Sequence, residues 1–205
     1  MSSAGEAKTQ LLQLLKQKSV FHGDFVLVSG ASSKVYVDCK LTTLDSTGAI
    51  LAGEVMYNVI CRYADERGIN LDAVGGLTMG ADPLALAIGM HSIRFKGARA
   101  LQVFSVRKSP KAHGQNKLIE GNFRTGDRVV VLDDVITRGE STLKAIEAVE
   151  QSGGKVQFVA VLVDREEGGR QKIVERGYQV VSVFSRAEVF ENDAGKAQDP
   201  TLAVA

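Results

Sequence analysis

Two adjacent carboxylates, Asp133 and Asp134, follow four apolar residues, Val129, Val130, Val131 and Leu132. Behind them comes a turn-like run of Val135, Ile136, Thr137, Arg138, Gly139, Glu140, Ser141 and Thr142. Three β-branched residues among four apolar ones predict a strand buried on both faces, as in a parallel sheet. The acids then stand where such a strand reaches the carboxyl edge of its sheet. Leu143, Ile146 and Val149 repeat at helical spacing beyond the turn. The N–H groups that open a helix, with the positive end of its dipole, suit a phosphate monoester. Thr137, Ser141 and Thr142 add hydroxyl donors, and Gly139 lets the backbone approach closely. The Gly-Lys-Ser/Thr ending of a Walker A loop is absent. Asp133 and Asp134 cannot bind a phosphate, but they can accept hydrogen bonds from vicinal sugar hydroxyls or hold waters around a divalent cation. The plainer alternative is an acidic pair that merely ends a strand.

Three more segments carry chemistry. Arg107, Lys108, Lys111 and His113 place four basic or titratable side chains within residues 107–113, and Lys117 adds another cation. No acid lies between Ser105 and Ile119, helix propensity is poor and apolar anchors are lacking. Residues 107–121 therefore read as a mobile loop able to close over a polyanion such as pyrophosphate, or else as an ordinary solvated loop. Asp164, Arg165, Glu166, Glu167, Gly168, Gly169 and Arg170 follow the apolar run 156–163. A fixed guanidinium there suits bidentate carboxylate recognition; the alternative pairs Arg165 with Asp164 or Glu166. Residues 75–82 form a glycine-rich loop after a short strand at Ala73 and Val74.

These segments need a frame to bring them together. Helices are expected over 8–18, 46–67, 83–90 and 171–176, with a further one behind the central turn. Strands are expected at 25–28, 35–38, 73–74, 100–106, 129–132, 156–163 and 180–184. Leu51, Val55 and Val59 step by four, and Ile60 and Tyr63 widen that stripe. The alternation implies an α/β fold, a mainly parallel sheet flanked by helices, with ligands beyond the carboxyl ends of the strands. The antiparallel piece over about 20–45 reads as a small N-terminal hood. The 205 residues suit one domain spanning 1–205, with a tail at 192–205 that frays. A net charge of +1 gives no general pull toward nucleic acid or anionic membrane. No run approaches the roughly 18 apolar residues of a membrane span. Cys39 and Cys61 read as buried reduced thiols, His22 and His91 as packing or surface residues, and the location as cytoplasmic.

The strand, acidic pair and Thr-x-Gly-x-Ser turn resemble the phosphoribosyl-pyrophosphate signature of the type I phosphoribosyltransferases. Arg107-Lys108-x-x-Lys111-x-His113-Gly114 resembles the catalytic loop of the orotate-specific members. Residues 25–30 and 36–38 are similar to the hood that covers the base in that family, so the resemblance runs from about residue 10 to 190. Val28, Lys34 and Met79 stand where many members have lysine, proline and lysine.

The resemblance implies transfer of ribose 5-phosphate from phosphoribosyl pyrophosphate (PRPP) to orotate, giving orotidine 5′-monophosphate and pyrophosphate in pyrimidine (UMP) biosynthesis. Positive charge would develop on the ribose as the anomeric C–O bond loosens. Asp133 and Asp134 would orient the ribose hydroxyls and stabilise that charge. Arg107, Lys108, Lys111 and His113 would neutralise pyrophosphate, with Lys111 or His113 donating a proton. The segment Val135, Ile136, Thr137, Arg138, Gly139, Glu140 and Ser141 would hold PRPP, and Thr137 and Arg165 would contact orotate. Mg2+ would arrive on the pyrophosphate, with no direct protein ligand and Asp133 and Asp134 reached through water. The partners implied are orotate, PRPP and a second copy, in a homodimer sharing loop 107–121, with neither nucleic acid nor membrane. A purine or uracil transferase, or a non-catalytic regulator on the same fold, are the competing readings.

Overall fold

The computed structural model describes residues 4–26, 32–94, 96–109 and 117–190. In chain order the elements are α1 (Ala4–Lys18), β1 (Val20–Val26), β2 (Ser32–Val37), α2 (Lys40–Thr43), α3 (Ser46–Asp65), β3 (Ala73–Leu77), α4 (Ala81–Ser92) and β4 (Gln102–Val106). They continue as β5 (Ile119–Gly121), β6 (Arg128–Ile136), α5 (Glu140–Gln151), β7 (Lys155–Asp164), α6 (Gly169–Glu175), β8 (Val180–Phe184) and α7 (Arg186–Phe190).

Six strands lie in the order β5-β4-β3-β6-β7-β8. All neighbours run parallel except β4 and β5, which pair antiparallel at one edge. The apolar run at the head of β6 alternates between two cores. Val130 and Leu132 pack with Leu11 and Leu15 of α1, Val55 and Ile60 of α3, and Leu84 and Ile88 of α4. Val129 and Val131 pack on the other face with Ala145, Ile146 and Val149 of α5 and Ile173 of α6. Helices on both faces are what a run of consecutive apolar residues requires. The stripe foreseen on α3 is present: Val55 and Ile60 are buried, and Leu51, Val59 and Tyr63 pack around them. Asp45 accepts from the N–H groups of Thr47 and Gly48, which fixes where α3 begins.

Several boundaries differ from the sequence reading. Helix α1 starts at Ala4 and β1 at Val20, each several residues early, and β1 and β2 form a separate antiparallel pair. The short helices α2 and α7 and the edge strand β5 fall in stretches too brief for a periodicity to register. The expected loop 107–121 therefore ends in a strand. Gly75 and Gly76 belong to β3 rather than to a ligand loop. A Cβ on Gly75 would lie 2.1 Å from the Phe104 carbonyl oxygen, and one on Gly76 2.1 Å from that of Leu132. These glycines let β3 fit between β4 and β6. The acids Asp133 and Asp134 likewise lie inside β6, not beyond it. Val28, Lys111, His113 and the tail 192–205 lie outside the described residues. Among those described, no helix is long and apolar enough to cross a membrane. Cys39 is buried, Cys61 half-buried, and both are free thiols.

The amino ends of the two central strands are tied by one ion pair. Arg128 donates from its backbone N and Nε to Asp72 Oδ2, and from Nη2 to Oδ1, each at 2.8 Å. Those hydrogen bonds hold the Asp72 carboxyl at about 2, against an ordinary value of 3.8. A carboxyl whose folded value lies below its unfolded one stabilises the fold above the unfolded value and loses that contribution as pH falls through the folded one. Asp72→Asn is therefore expected to lower the denaturation midpoint at pH 7. The gap from wild type should close as pH falls from about 4 toward about 2. A gap that persists unchanged at pH 2 would assign the effect to packing instead.

Candidate active site

Strand order reverses direction at β3: the chain moves from β3 outward to β4, then returns to place β6 on the other side. Ligands in open α/β sheets bind beyond the carboxyl ends of strands at such a switch point. Pairing between β3 and β6 stops at Gly76 and Leu132, while β6 runs on through Ile136 beside β7. The acids sit on this extension, which has lost β3 as a neighbour but stays paired with β7.

The two carboxylates are not equivalent. Asp133 is buried. Its Oδ2 accepts from Ser141 Oγ at 2.8 Å and Thr142 Oγ1 at 2.7 Å, and its Oδ1 from the Asp134 backbone N at 3.1 Å. Burial pushes the Asp133 carboxyl up, and the two hydroxyl donors work against that shift. Thr142 is wholly buried, so its hydroxyl serves Asp133 and is not the ligand donor the sequence suggested. Ser141 is partly open to the cleft but donates to the same oxygen. Asp134 is half-buried and accepts only from the Val135 backbone N, at 3.0 Å, among the described residues. Burial first, then the Asp133 charge, push its carboxyl up, while Lys40 opposes. Two carboxyls pushed toward neutrality leave a site that gains most when a cation enters it.

The turn after β6 is held by backbone contacts. Gly139 takes φ +79, which L residues rarely adopt, and opens α5 with no side-chain cap. No side chain caps the first N–H groups of this helix. Thr137 is half-buried, Arg138 and Glu140 are exposed, and Glu140 reaches Lys172 at 3.5 Å. Val135 and Ile136 turn their side chains into the two cores and offer none to a ligand.

Three other segments converge on this cleft. Gly80 lies against the acid pair: a Cβ there would come within 2.4 Å of Asp134 Oδ1. Met79 beside it is 59% exposed, and the Thr78–Met79 peptide bond is cis. From the hood side, Asp38 and Lys40 pair at 2.6 Å and both act electrostatically with Asp134 on buried Cys39, whose thiol burial pushes well up. Sequence reasoning did not place this trio near the acids, because a two-strand hood has no register that fixes where its end falls.

The segment after β7 is stitched to the turn after β6, Arg165 N donating to the Ile136 carbonyl at 3.0 Å and Gly169 N to the Thr137 carbonyl at 2.8 Å. Arg165 is buried and pairs with Glu167 at 2.8 Å rather than with Asp164 or Glu166. Its guanidinium faces the Phe190 ring at 5.8 Å, and its Nε has no hydrogen-bond partner among the described residues. Asp164 is taken by Arg170, whose Nε donates to it at 2.7 Å while its Nη groups reach the Val180 carbonyl and Ser182 Oγ of β8. Arg170 thus anchors the edge strand.

Of the basic side chains in the loop, Arg107, Lys108 and Lys117 are described. Arg107 N donates to the Leu118 carbonyl at 2.8 Å, and its Nη1 reaches Glu120 at 3.4 Å. Lys108 is exposed. Arg107 and Lys108 follow the carboxyl end of β4, whose last residue, Val106, pairs with Leu77 of β3. His91, by contrast, is buried against Tyr57, ring centroids 5.3 Å apart, where burial lowers its imidazole value. Among the described residues no group of three or more His, Cys, Asp or Glu side chains could hold a metal ion.

Comparison with known proteins gives a consistent answer. An orotate phosphoribosyltransferase of Tropheryma whipplei is 40% identical over 184 residues, covering 90% of this chain and 83% of that protein. One from Aquifex aeolicus is 42% identical over 185 residues, covering 89% and 97%. A crystal structure of the Mycobacterium tuberculosis orotate phosphoribosyltransferase in complex with PRPP matches with TM-score 0.70 at 33% identity, over 89% of this chain and 91% of that one. No family model matches the chain.

The pairing of Asp133 with two hydroxyls has a measurable consequence. Thr142→Val keeps the shape but removes one donor from a buried carboxylate, which costs about 1–3 kcal/mol. The expected result is a loss of that size in denaturant unfolding at pH 7, with the slope m unchanged. An unchanged midpoint would mean that Ser141 alone satisfies Asp133.

Proposed function

Since the chain belongs to the orotate phosphoribosyltransferase family, we propose that it transfers ribose 5-phosphate from PRPP to orotate, forming orotidine 5′-monophosphate and pyrophosphate in pyrimidine biosynthesis. The observation that carries the residue assignment is the convergence of four loops on the cleft beside the β6 extension.

In this reading the uncapped start of α5, from Thr137 through Ser141, receives the 5′-phosphate through backbone N–H groups and the helix dipole. Asp134 faces the ribose. Asp133 holds the turn and keeps a second negative charge close behind, so both acids favour the cationic character that develops at the anomeric carbon. Arg107 and Lys108, with Lys111 and His113 beyond the described residues, neutralise the departing diphosphate, and Lys111 or His113 gives it a proton. Arg165 and Thr137 take orotate. The unpartnered Nε of a buried guanidinium, with Glu167 on its other side, supports a carboxylate ligand there.

Magnesium fits as an ion carried by the diphosphate. Asp133 already accepts three hydrogen bonds, so Asp134 would be the acid that holds such an ion, with the charge of Lys40 opposing it. When bound it supplies charge neutralisation on the diphosphate oxygens. The free thiols suit a cytoplasmic enzyme. The two continuous cores suit one catalytic domain over 1–205.

A homodimer belongs to the same reading. Helix α4 is apolar on its inner face and along an outer stripe: Leu84, Ala85 and Ile88 face the core, while Leu86 and Met90, with Ile93 at its C-cap, step along the outer side at 58%, 63% and 73% exposure. Ile50 of α3 is also outward, 59% exposed. A second copy would cover this face and lend its basic loop.

Two measurements test these statements. Protein, Mg2+, PRPP and orotate should consume orotate absorbance, and Arg165→Ala should raise the KM for orotate about tenfold or more, the scale expected when a buried charged partner is lost. Turnover of adenine, hypoxanthine or uracil in place of orotate would overturn the substrate. Sedimentation should give a dimer for the wild type and a monomer with little activity for Met90→Asp/Ile93→Asp. A monomeric, active wild type would remove the dimer.

A further inference from the structure

One carboxylate joins two of the loops and lies outside the residues assigned so far. Asp82, in the first turn of α4, directs both oxygens away from its own helix. Oδ2 accepts from Thr78 Oγ1 and Oδ1 from Ser105 Oγ, each at 2.6 Å. Thr78 begins the segment that leads to Gly80, the residue whose backbone lies against Asp134. Ser105 sits in β4, paired with Gly76 on one side and Glu120 on the other, two residues before Arg107. The Thr78 backbone N also donates to the Val106 carbonyl at 2.8 Å, so the loop and the strand are held by both main chain and side chain.

We infer that Asp82 is a positioning residue that sets the Thr78–Gly80 segment and the root of the basic loop at one fixed separation across the diphosphate end of the cleft. The inference rests on the transferase reading above. An acid in the first turn of a helix ordinarily interacts with its own dipole and N–H groups. Here the carboxylate is instead matched by two hydroxyls, one on each oxygen. Neither Asp82 nor its partners need touch substrate. Displacing either loop by a fraction of an ångström would misalign Gly80 against Asp134 and Arg107 against the leaving group, and errors of that size are costly in rate.

The test uses full-length wild type, Asp82→Asn, Thr78→Val and Thr78→Ser, each assayed for forward turnover with PRPP varied and then orotate varied. Asp82→Asn and Thr78→Val should lower kcat/KM for PRPP about tenfold or more while leaving the KM for orotate within about twofold. Thr78→Ser, which keeps the hydroxyl, should recover most of the loss. Equal effects on PRPP and orotate, or a Thr78→Val enzyme indistinguishable from wild type, would overturn the inference. If Asp82→Asn does not fold, Thr78→Val against Thr78→Ser decides alone. A wild type that does not turn over PRPP with orotate brings down the transferase reading and this inference together. An active wild type with an equally active Thr78→Val sinks this inference only.

Discussion

A carboxylate taken out of water has to be supplied with donors, and Asp133 draws its side-chain donors from the first turn of the helix that follows it. That requirement shapes everything around the cleft. Ser141 and Thr142 can reach Asp133 only if α5 starts close behind β6, and Gly139 allows that start through its positive φ. The tight turn leaves the leading N–H groups of α5 aimed over the carboxyl edge of the sheet. A buried charge, a left-handed glycine and an anion-binding helix start are therefore one arrangement. Asp134, the neighbour on the other side of the strand, has only the Val135 N–H as a donor among the described residues.

Much of this was legible in the residues. Four consecutive apolar positions, Val129 to Leu132, can only satisfy both faces of a covered sheet, and the two cores found on either side of β6 follow from that. What was not legible has a common physical cause. Hydroxyl groups at Ser141 and Thr142 look alike in sequence whether they face a ligand or a buried acid. The choice is made by burial, which depends on how far β6 extends past β3. Gly75 and Gly76 misled in the same way: glycine answers both to a phosphate and to a neighbouring carbonyl, and here the neighbours are strands. Asp82 showed no periodicity or motif of its own, because its partners are four residues back in one case and 23 residues ahead in the other.

The departures at Lys34 and Met79 acquire a physical setting. Lys34 is exposed on β2 and pairs with Asp24 across the hood. It is spoken for locally and lies on the hood's own strand pair. Met79 is exposed at the tip of the segment beside Gly80, uncharged where the family resemblance leads to the expectation of a lysine. Lys40 is the cation that the described residues bring electrostatically nearest to Asp134, paired in turn to Asp38. Positive charge beside Asp134 is thus drawn, among the described residues, from Lys40 rather than from the glycine-rich segment.

The stitching of the 165–169 segment to the turn after β6 reaches further than local order. Gly169 has so little room that a Cβ would lie 2.5 Å from the Thr137 carbonyl oxygen and 2.8 Å from the Gly139 nitrogen. The backbone that would meet a phosphate and the backbone that carries Arg165 are in direct contact, with two hydrogen bonds across the seam. Neither can shift without the other. In thermodynamic terms the two ends of the cleft share a coupling free energy, and linkage makes it reciprocal: whatever occupancy at one end does to affinity at the other is returned in equal measure. On the proposed assignment, selectivity for the carboxylate would then be, in part, a property of the phosphate turn.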